Sequence, residues 1–207
     1  MFLSKITLNP EREGARKIVA SPQVAHAAVM KSFSNEALDA TSSAGRPLWR
    51  LETNGRDPKL FVLSPSLPDF SHIVEQAGRK NDEYGVLTKS YDRVFELATV
   101  GRAFRFKGKL NPVVEVKGKR VPMIREEAQK EWFASRAASL GFDLNLENFS
   151  VVEEKTISFK RQNNRVTLQA VTFEGILKVT DPELFSHTVR FGIGKAKAYG
   201  MGMITLA

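Results

Sequence analysis

Three histidines, His26, His72 and His187, and no cysteine bound the chemistry open to this chain. Without cysteine there is no thiol nucleophile, no disulfide and no zinc site built on thiolates. No HExxH motif occurs, and no aspartate cluster has ligand spacing; Asp82-Glu83 reads as a solvated loop pair. No metal and no other cofactor is therefore expected. Proton transfer near neutral pH is what remains, and histidine suits it because its unperturbed pKa is about 6.5. His72 starts a short helix and His187 lies within the last one, and both read as structural or exposed. His26 has two readings. Helical spacing sets it beside Val29, Met30 and Phe33, at the edge of an apolar stripe, where a histidine can be purely structural. The other reading is that it carries protons, with Lys31 and Ser34 following within two turns. In an unbroken helix Lys31 points about 140° away from His26, so joint action needs the helix to end or bend near Met30.

The cations are unevenly placed. Net charge is +8; residues 1–100 hold 13 Lys+Arg against 12 Asp+Glu, and residues 101–207 hold 18 against 11. A basic half of this kind suits a polyanion, and nucleic acid is the usual one. In Phe104-Arg105-Phe106-Lys107-Gly108-Lys109-Leu110 strand alternation puts Phe104, Phe106 and Leu110 on one face and Arg105, Lys107 and Lys109 on the other. Three like charges in a row repel unless an anion lies across them, so the row reads as a phosphate-tracking stripe. Lys117-Gly118-Lys119-Arg120 is a second cluster. Lys160-Arg161-Gln162-Asn163-Asn164-Arg165 is a third, at the tip of an expected hairpin that can enter a groove or flank a stem.

The segment Gly192-Ile193-Gly194-Lys195-Ala196-Lys197-Ala198-Tyr199-Gly200-Met201-Gly202 is neither an ATPase phosphate loop nor a dinucleotide fingerprint. No Gly-Lys-Ser/Thr appears, and no βαβ unit can follow it. Four glycines, Gly192, Gly194, Gly200 and Gly202, around Lys195 and Lys197 still allow close backbone approach to an anion, so the loop is expected to touch the ligand. RNA carries its own nucleophile. If its 2′-OH attacks the adjacent phosphate, the protein has only to take that proton, protonate the 5′-oxygen and stabilise the phosphorane, for which histidine and lysine suffice.

The elements that must hold these residues follow a repeated order. A strand over 2–9, a helix from Ser21-Pro22 to about Leu38, strands over 48–52 and 60–63, a short helix over 69–76 and a strand over 93–97 read as βαββαβ. The second half repeats it: a strand over 103–110, a helix over 125–140 closed by Gly141, strands over 156–160 and 166–179, a helix from Asp181-Pro182 to Val189 and a strand over 201–206. The expected class is α+β, two tandem ferredoxin-like domains over residues 1–98 and 99–207, the second carrying the RNA-binding hairpin and glycine-rich loop. No apolar run reaches the length of a membrane span, and the opening lacks a signal-peptide pattern, so the expected address is the cytoplasm.

Taken in order, Phe2-Leu3-Ser4-Lys5, Ser21-Pro22 leading to His26, Lys31 and Ser34, Phe104-Arg105-Phe106 running to Leu110-Asn111-Pro112, Lys119-Arg120-Val121-Pro122 before Trp132, Gln169 to Gly175 and the terminal glycine-rich loop resemble the CRISPR-associated endoribonuclease CasE family. That family is the repeat-processing subunit of type I-E Cascade. The resemblance implies a metal-independent endoribonuclease that binds the CRISPR repeat stem-loop and cuts at the 3′ base of the stem. The products would be a 5′-OH and a 2′,3′-cyclic or 3′ phosphate, with the guide RNA retained among other Cascade subunits. It implies His26 as the catalytic histidine, with Lys31 and Ser34 beside it. Gln23 stands where some members carry a tyrosine; an amide cannot titrate, so Gln23 is left to bind RNA and the second proton carrier is unassigned. The competing reading is a non-catalytic subunit that only holds an RNA stem-loop in a larger assembly.

Overall fold

The computed structural model describes residues 1–35, 38, 43–79, 85–161 and 164–207, with the backbone alone for Lys160, Arg161 and Asn164. The expected loop pair Asp82-Glu83 and the hairpin tip Gln162-Asn163 lie outside the described residues, as do Glu36 and Ala37 within the expected continuation of the first helix to Leu38.

The chain divides into two compact units. The first comprises Met1–Arg93 together with Lys197–Gly200; the second comprises Val94–Ala196 and Met201–Ala207. The division thus falls five residues before the expected boundary at 98, and the glycine-rich loop is shared between the units instead of belonging wholly to the second.

In the first unit β1 (Phe2–Thr7) is the central strand. It pairs antiparallel with β3 (Lys59–Ser64) and β4 (Val86–Ser90), and β2 (Leu48–Glu52) lies outside β3, giving the order β2-β3-β1-β4. Three helices complete the layer: α1 (Glu13–Ala20), α2 (Pro22–Met30) and α3 (Ser71–Ala77). Their inner faces supply Ala15, Ile18, Ala25, Val29, Ile73 and Ala77 to a core shared with Ile6, Trp49, Leu60 and Val62 of the strands. Burying side chains of this size, at about 1.5–3 kcal/mol for each large aliphatic, is what fixes α2 against the sheet.

Ser21 starts α2 as read: its hydroxyl accepts the Val24 N–H at 3.4 Å and proline takes the first turn. The helix is shorter than the expected span to Leu38, ending at Met30. Two further expectations are corrected. Glu13–Ala20, which follows Asn9-Pro10 and holds Gly14, is a helix where the expected order had none. Residues 93–97, expected as a strand from their alternation, form α4 (Asp92–Leu97), and the strand is β4 just before it. Ser90 and Asp92 explain the change. The Asp92 N–H donates to Ser90 Oγ, while the Asp92 carboxylate accepts from Ser90 and from the terminal amine of Met1 at 2.7 Å, fixing the start of α4.

The second unit repeats the topology. The strands β5 (Ala103–Leu110), β9 (Phe149–Arg161), β10 (Asn164–Val179) and β11 (Ile204–Leu206) form a sheet ordered β11-β5-β10, with β9 along the far side of β10. A two-residue strand, β8 (Phe142–Asp143), joins the end of β10. The hairpin of β6 (Val113–Val116) and β7 (Lys119–Pro122) is inserted after β5. The helices are α5 (Glu126–Ala137), extended by a 3₁₀ turn over Ala138–Leu140 to Gly141 in the left-handed region, and α6 (Pro182–Phe191). An aromatic core joins them, with Phe133 of α5 edge-on to Phe106, Phe142 and Phe149, and tilted against Phe173. Each unit is a ferredoxin-like βαββαβ sandwich with its sheet in the 4-1-3-2 arrangement.

Candidate active site and nucleic-acid contacts

His26 sits in the middle of α2, one residue after the fully buried Ala25 and three before the fully buried Val29. The two neighbours point into the core, so the imidazole lies at the rim of the apolar stripe, half-buried. Its Nδ1 is buried without a hydrogen-bond partner. Burial, and second the charge of Arg46, hold its pKa below the ordinary 6.5, so the ring is neutral at pH 7. A neutral imidazole can accept a proton, which is what a general base at a ribose hydroxyl must do.

A short 3₁₀ turn, Lys197–Tyr199, packs on α2 and on β2 within the first unit. Lys197 is half-buried there. Its pKa is also lowered, by burial and then by Arg46, the same guanidinium that acts on His26. Arg46 itself is exposed, two residues before β2. Sequence reasoning assigned Lys197 to RNA binding in the second domain and passed over Arg46. No motif surrounds Arg46, and only the fold brings it to α2.

The other residues expected beside His26 are placed differently. Gln23 is half-buried in the first turn of α2. Lys31 is exposed; its N–H still bonds to Ala27 O at 3.0 Å, so it completes the last helical turn and remains about 140° round the axis from His26. The helix ends where joint action required, yet the ending does not turn Lys31 towards the imidazole. Ser34 is exposed beyond it and has bonding partners of its own. His72 is taken up structurally, its Nε2 lying 3.0 Å from Ala28 O. His187 stacks on Phe191 at 4.5 Å between ring centroids.

The strand stripe forms as read, with Phe104, Phe106 and Leu110 buried and Arg105, Lys107 and Lys109 on the other face. The chain supplies its own anions, however. Lys107 pairs with Glu174 at 2.6 Å, directly across β10, and Lys109 with Glu153 at 3.4 Å. The expectation that a phosphate must lie across the row is corrected: two of its three charges are matched internally, and Arg105 is the exposed one. Lys117, Lys119 and Arg120 are exposed on the β6–β7 hairpin, whose turn carries Lys117 and Gly118 both at positive φ, the two-residue turn whose twist matches the strands. Lys160 and Arg161 pair with Arg165 and Asn164 at the end of the long β9–β10 hairpin. The side chains of Lys160 and Arg161 lie outside the described residues; Arg165 is exposed and its Nε donates to Ser158 Oγ at 2.8 Å.

The terminal loop is built from left-handed residues. Gly192, Gly194, Gly200 and Gly202 all have positive φ, and so does Ala196, at 72°. Gly192 ends α6, while Gly194 and Lys195 are exposed. Among the described residues no three His, Asp or Glu side chains stand together as a metal site, and no helix is long and apolar enough to cross a membrane.

The whole chain, residues 1–207, matches the model of a family described as CRISPR associated protein. Over 228 aligned residues it is 29% identical to the CRISPR-associated endoribonuclease Cse3 of Thermus thermophilus, covering 100% of both chains. It is 28% identical over 179 residues to the Cascade subunit CasE of Escherichia coli, covering 77% of this chain and 88% of that one. A solved structure of Cse3 bound to a 19-nucleotide RNA superposes with a TM-score of 0.85 at 29% identity, with complete coverage of both chains.

Proposed function

Because the chain belongs to the CRISPR-associated protein family that its full length matches, with Cse3 and CasE among its relatives, we propose that it is an endoribonuclease that binds the stem-loop of a CRISPR repeat and cuts it at the 3′ base of the stem. The observation that carries this reading is the neutral, half-buried His26 on α2, its Nδ1 without a hydrogen-bond partner and the charge of Arg46 acting on it. His26 takes the proton of the ribose 2′-OH, and the freed oxygen attacks the adjacent phosphorus. The bond to the 5′-oxygen breaks, and that oxygen takes up a proton as it leaves. One strand ends in a 2′,3′-cyclic phosphate and the other begins with a 5′-OH, with no oxidation and no metal in the balance.

Lys31 and Ser34, exposed where α2 ends, hold the strand entering the site, and Gln23 hydrogen-bonds to it. The β9–β10 tip with Lys160, Arg161 and Arg165 grips the stem, assisted by Lys117, Lys119 and Arg120, by Arg105, and by Gly192, Gly194 and Lys195 of the terminal loop. The cut RNA stays bound, and the protein works with other Cascade subunits in the cytoplasm.

The test is incubation of the protein with a labelled repeat hairpin in excess EDTA. One defined cut, lost when the 2′-OH beside the scissile phosphate is replaced by hydrogen, is the expected result. Tight binding with no cut in any buffer would instead make the chain a non-catalytic stem-loop holder. A cut that chelation abolishes would overturn the metal-free mechanism.

A further inference from the structure

The β6–β7 hairpin has little packing to hold its direction. It forms a two-stranded sheet of its own, and no residue of either strand is buried. Two strands alone are marginally stable at best in water. Polar contacts at its base take over. Where the chain enters, the indole N–H of Trp132 on α5 donates to Val113 O at 2.9 Å. Where it leaves, the side-chain amide nitrogen of Gln129, on the same helix, lies 3.0 Å from Met123 O and 3.2 Å from Ile124 O. The Met123 N–H closes the base on Pro112 O at 2.9 Å. The Gln129 amide nitrogen also lies 3.0 Å from Glu154 Oε1 on β9, so its two hydrogens serve three acceptors. That carboxylate oxygen accepts a second amide, the side chain of Gln169 on β10, whose own Oε1 takes the Thr156 hydroxyl at 2.8 Å. Thr156 stands directly opposite Gln169 and Glu154 is two residues along, so all three share one face of the long hairpin. One carboxylate oxygen thus ties the base of one basic hairpin to the stem of the other.

Filling space does not require this arrangement. Gln129 is fully buried, and its Oε1 has no hydrogen-bond partner. A leucine or methionine would fill the space without stranding that acceptor, but it would donate nothing to the two carbonyls and the carboxylate. What the glutamine adds is direction.

We propose that Gln129, Glu154 and Gln169 are positioning residues for RNA binding: their junction sets the separation of the two basic hairpins, so that Lys117, Lys119 and Arg120 on one and Arg165 on the other engage phosphates of a single stem together. The inference rests on the stem-loop reading above and deepens it by naming what makes two hairpins one grip. The three residues act through the hairpins and not by touching RNA. Two cationic arms held at a fixed spacing bind more tightly than two that must be ordered on contact, because a protein whose competent arrangement is populated for only a fraction of the time loses affinity by that fraction. Glu154 puts a negative charge on an exposed residue between cationic arms that face a polyanion. Electrostatics alone favours its loss, and its hydrogen bonds account for its presence.

The experiment uses the full chain and has two readouts. In filter binding of a repeat hairpin with a 2′-deoxy scissile position, Glu154→Ala should bind about 10-fold more weakly, although the change removes a negative charge and would tighten binding if charge alone counted. The slope of log K against log salt should stay as it was, since no phosphate contact is lost. Glu154→Gln keeps an acceptor oxygen for both amides and should bind at least as tightly as the unaltered chain. The second readout needs no RNA. The chain has no cysteine, so Val116→Cys and Thr167→Cys together, both at exposed positions, put one spin label on each hairpin. The distance between the labels, measured by pulsed electron resonance, should be narrowly distributed in the parent and in Glu154→Gln, and broadened or displaced in Glu154→Ala. Gln129→Met should follow Glu154→Ala in both readouts; if that buried change prevents folding, the two variants at exposed Glu154 carry the test. Unchanged or tighter binding by Glu154→Ala would overturn the proposal, as would weaker binding with an unaltered distance or a flattened salt slope. A chain that binds no repeat hairpin while Glu154→Ala still broadens the distance would sink the stem-loop reading and keep the junction.

Discussion

Gly200 rests on the indole of Trp49: a Cβ on residue 200 would stand 2.5 Å from Cζ3 of a ring that is itself buried in the core of the first unit. Distances under 3.0 Å essentially never occur for a real Cβ, so either the ring or the turn must move. The turn carries Lys197, so this contact fixes where the lysine stands relative to α2.

Gly200→Ala should therefore lower stability by about 1–3 kcal/mol, from overpacking and from a positive φ forced on a residue with a Cβ. It should also slow cleavage by much more than it weakens RNA binding. Urea melts and single-turnover rates on the same preparation check both halves. An alanine variant with unchanged rate would show that the turn's position does not matter to the chemistry.

The state of His26 gives a pH prediction. Its folded pKa lies below the unfolded value of about 6.5, so between the two the unfolded chain binds more protons. Above 6.5 the residue contributes nothing to pH dependence. As pH falls through 6.5 and then through the folded value, the folded state must either protonate a half-buried ring beside Arg46 or lose stability relative to the unfolded one. Melts at pH 7.5 and 5.5 should show wild type losing more stability on acidification than His26→Gln. The acid limb of the cleavage rate should lie below 6.5 and shift upward in Arg46→Met. Among the described residues, the charged groups near α2 and on the elements packed against it include Arg46, Lys197 and the exposed Glu13, Arg16 and Lys17 of α1, and His72 stands against Ala28 O.

Lys107→Met should leave RNA affinity within about 2-fold, since Glu174 already matches its charge, whereas Arg105→Met should weaken binding and flatten its salt dependence. A double-mutant cycle on Lys107 and Glu174 should give a coupling of about 0.2–1 kcal/mol, the range for opposite charges directly across a sheet. Filter binding across a salt series and thermal melts read the two effects separately.

Replacing Lys160, Arg161 and Arg165 together should weaken hairpin binding and lower the slope of log K against log salt by about two to three, roughly one unit for each phosphate no longer neutralised. Cleavage at saturating protein should survive. If affinity and slope both stay put, the β9–β10 tip does not touch the RNA backbone.

Legibility in the sequence followed the range of each interaction. The alternation of β5 and the Ser21-Pro22 start of α2 are local, and both formed as read. Periodicity misled at 93–97, where alternating apolar residues hid a short helix whose start is fixed by Ser90, Asp92 and the amine of Met1. The true strand, β4, lies at the edge of its sheet and is largely exposed, so it has no apolar rhythm to detect. His26 was visible as a candidate because a histidine among alanines in a capped helix is conspicuous. Its surroundings were not. Arg46 sits in a loop without a motif, Lys197 arrives from the far end of the chain, and the glutamates that neutralise Lys107 and Lys109 come from other strands.

The sharing of the terminal loop between the two units has a consequence for biogenesis. Residues 197–200 are synthesised after all of the second unit's strands but one, yet they join the unit formed by Met1–Arg93. A domain that folds as it emerges would normally finish before its successor is made. Here the N-terminal sandwich can collapse early around Ile6, Val29 and Leu60, but the turn Lys197–Tyr199 must reach α2 and β2 by a contact of long sequence separation, the kind whose loop-closure cost slows folding. A nascent chain that has not yet reached residue 197 would thus carry His26 in a sandwich still lacking the turn that packs on its helix.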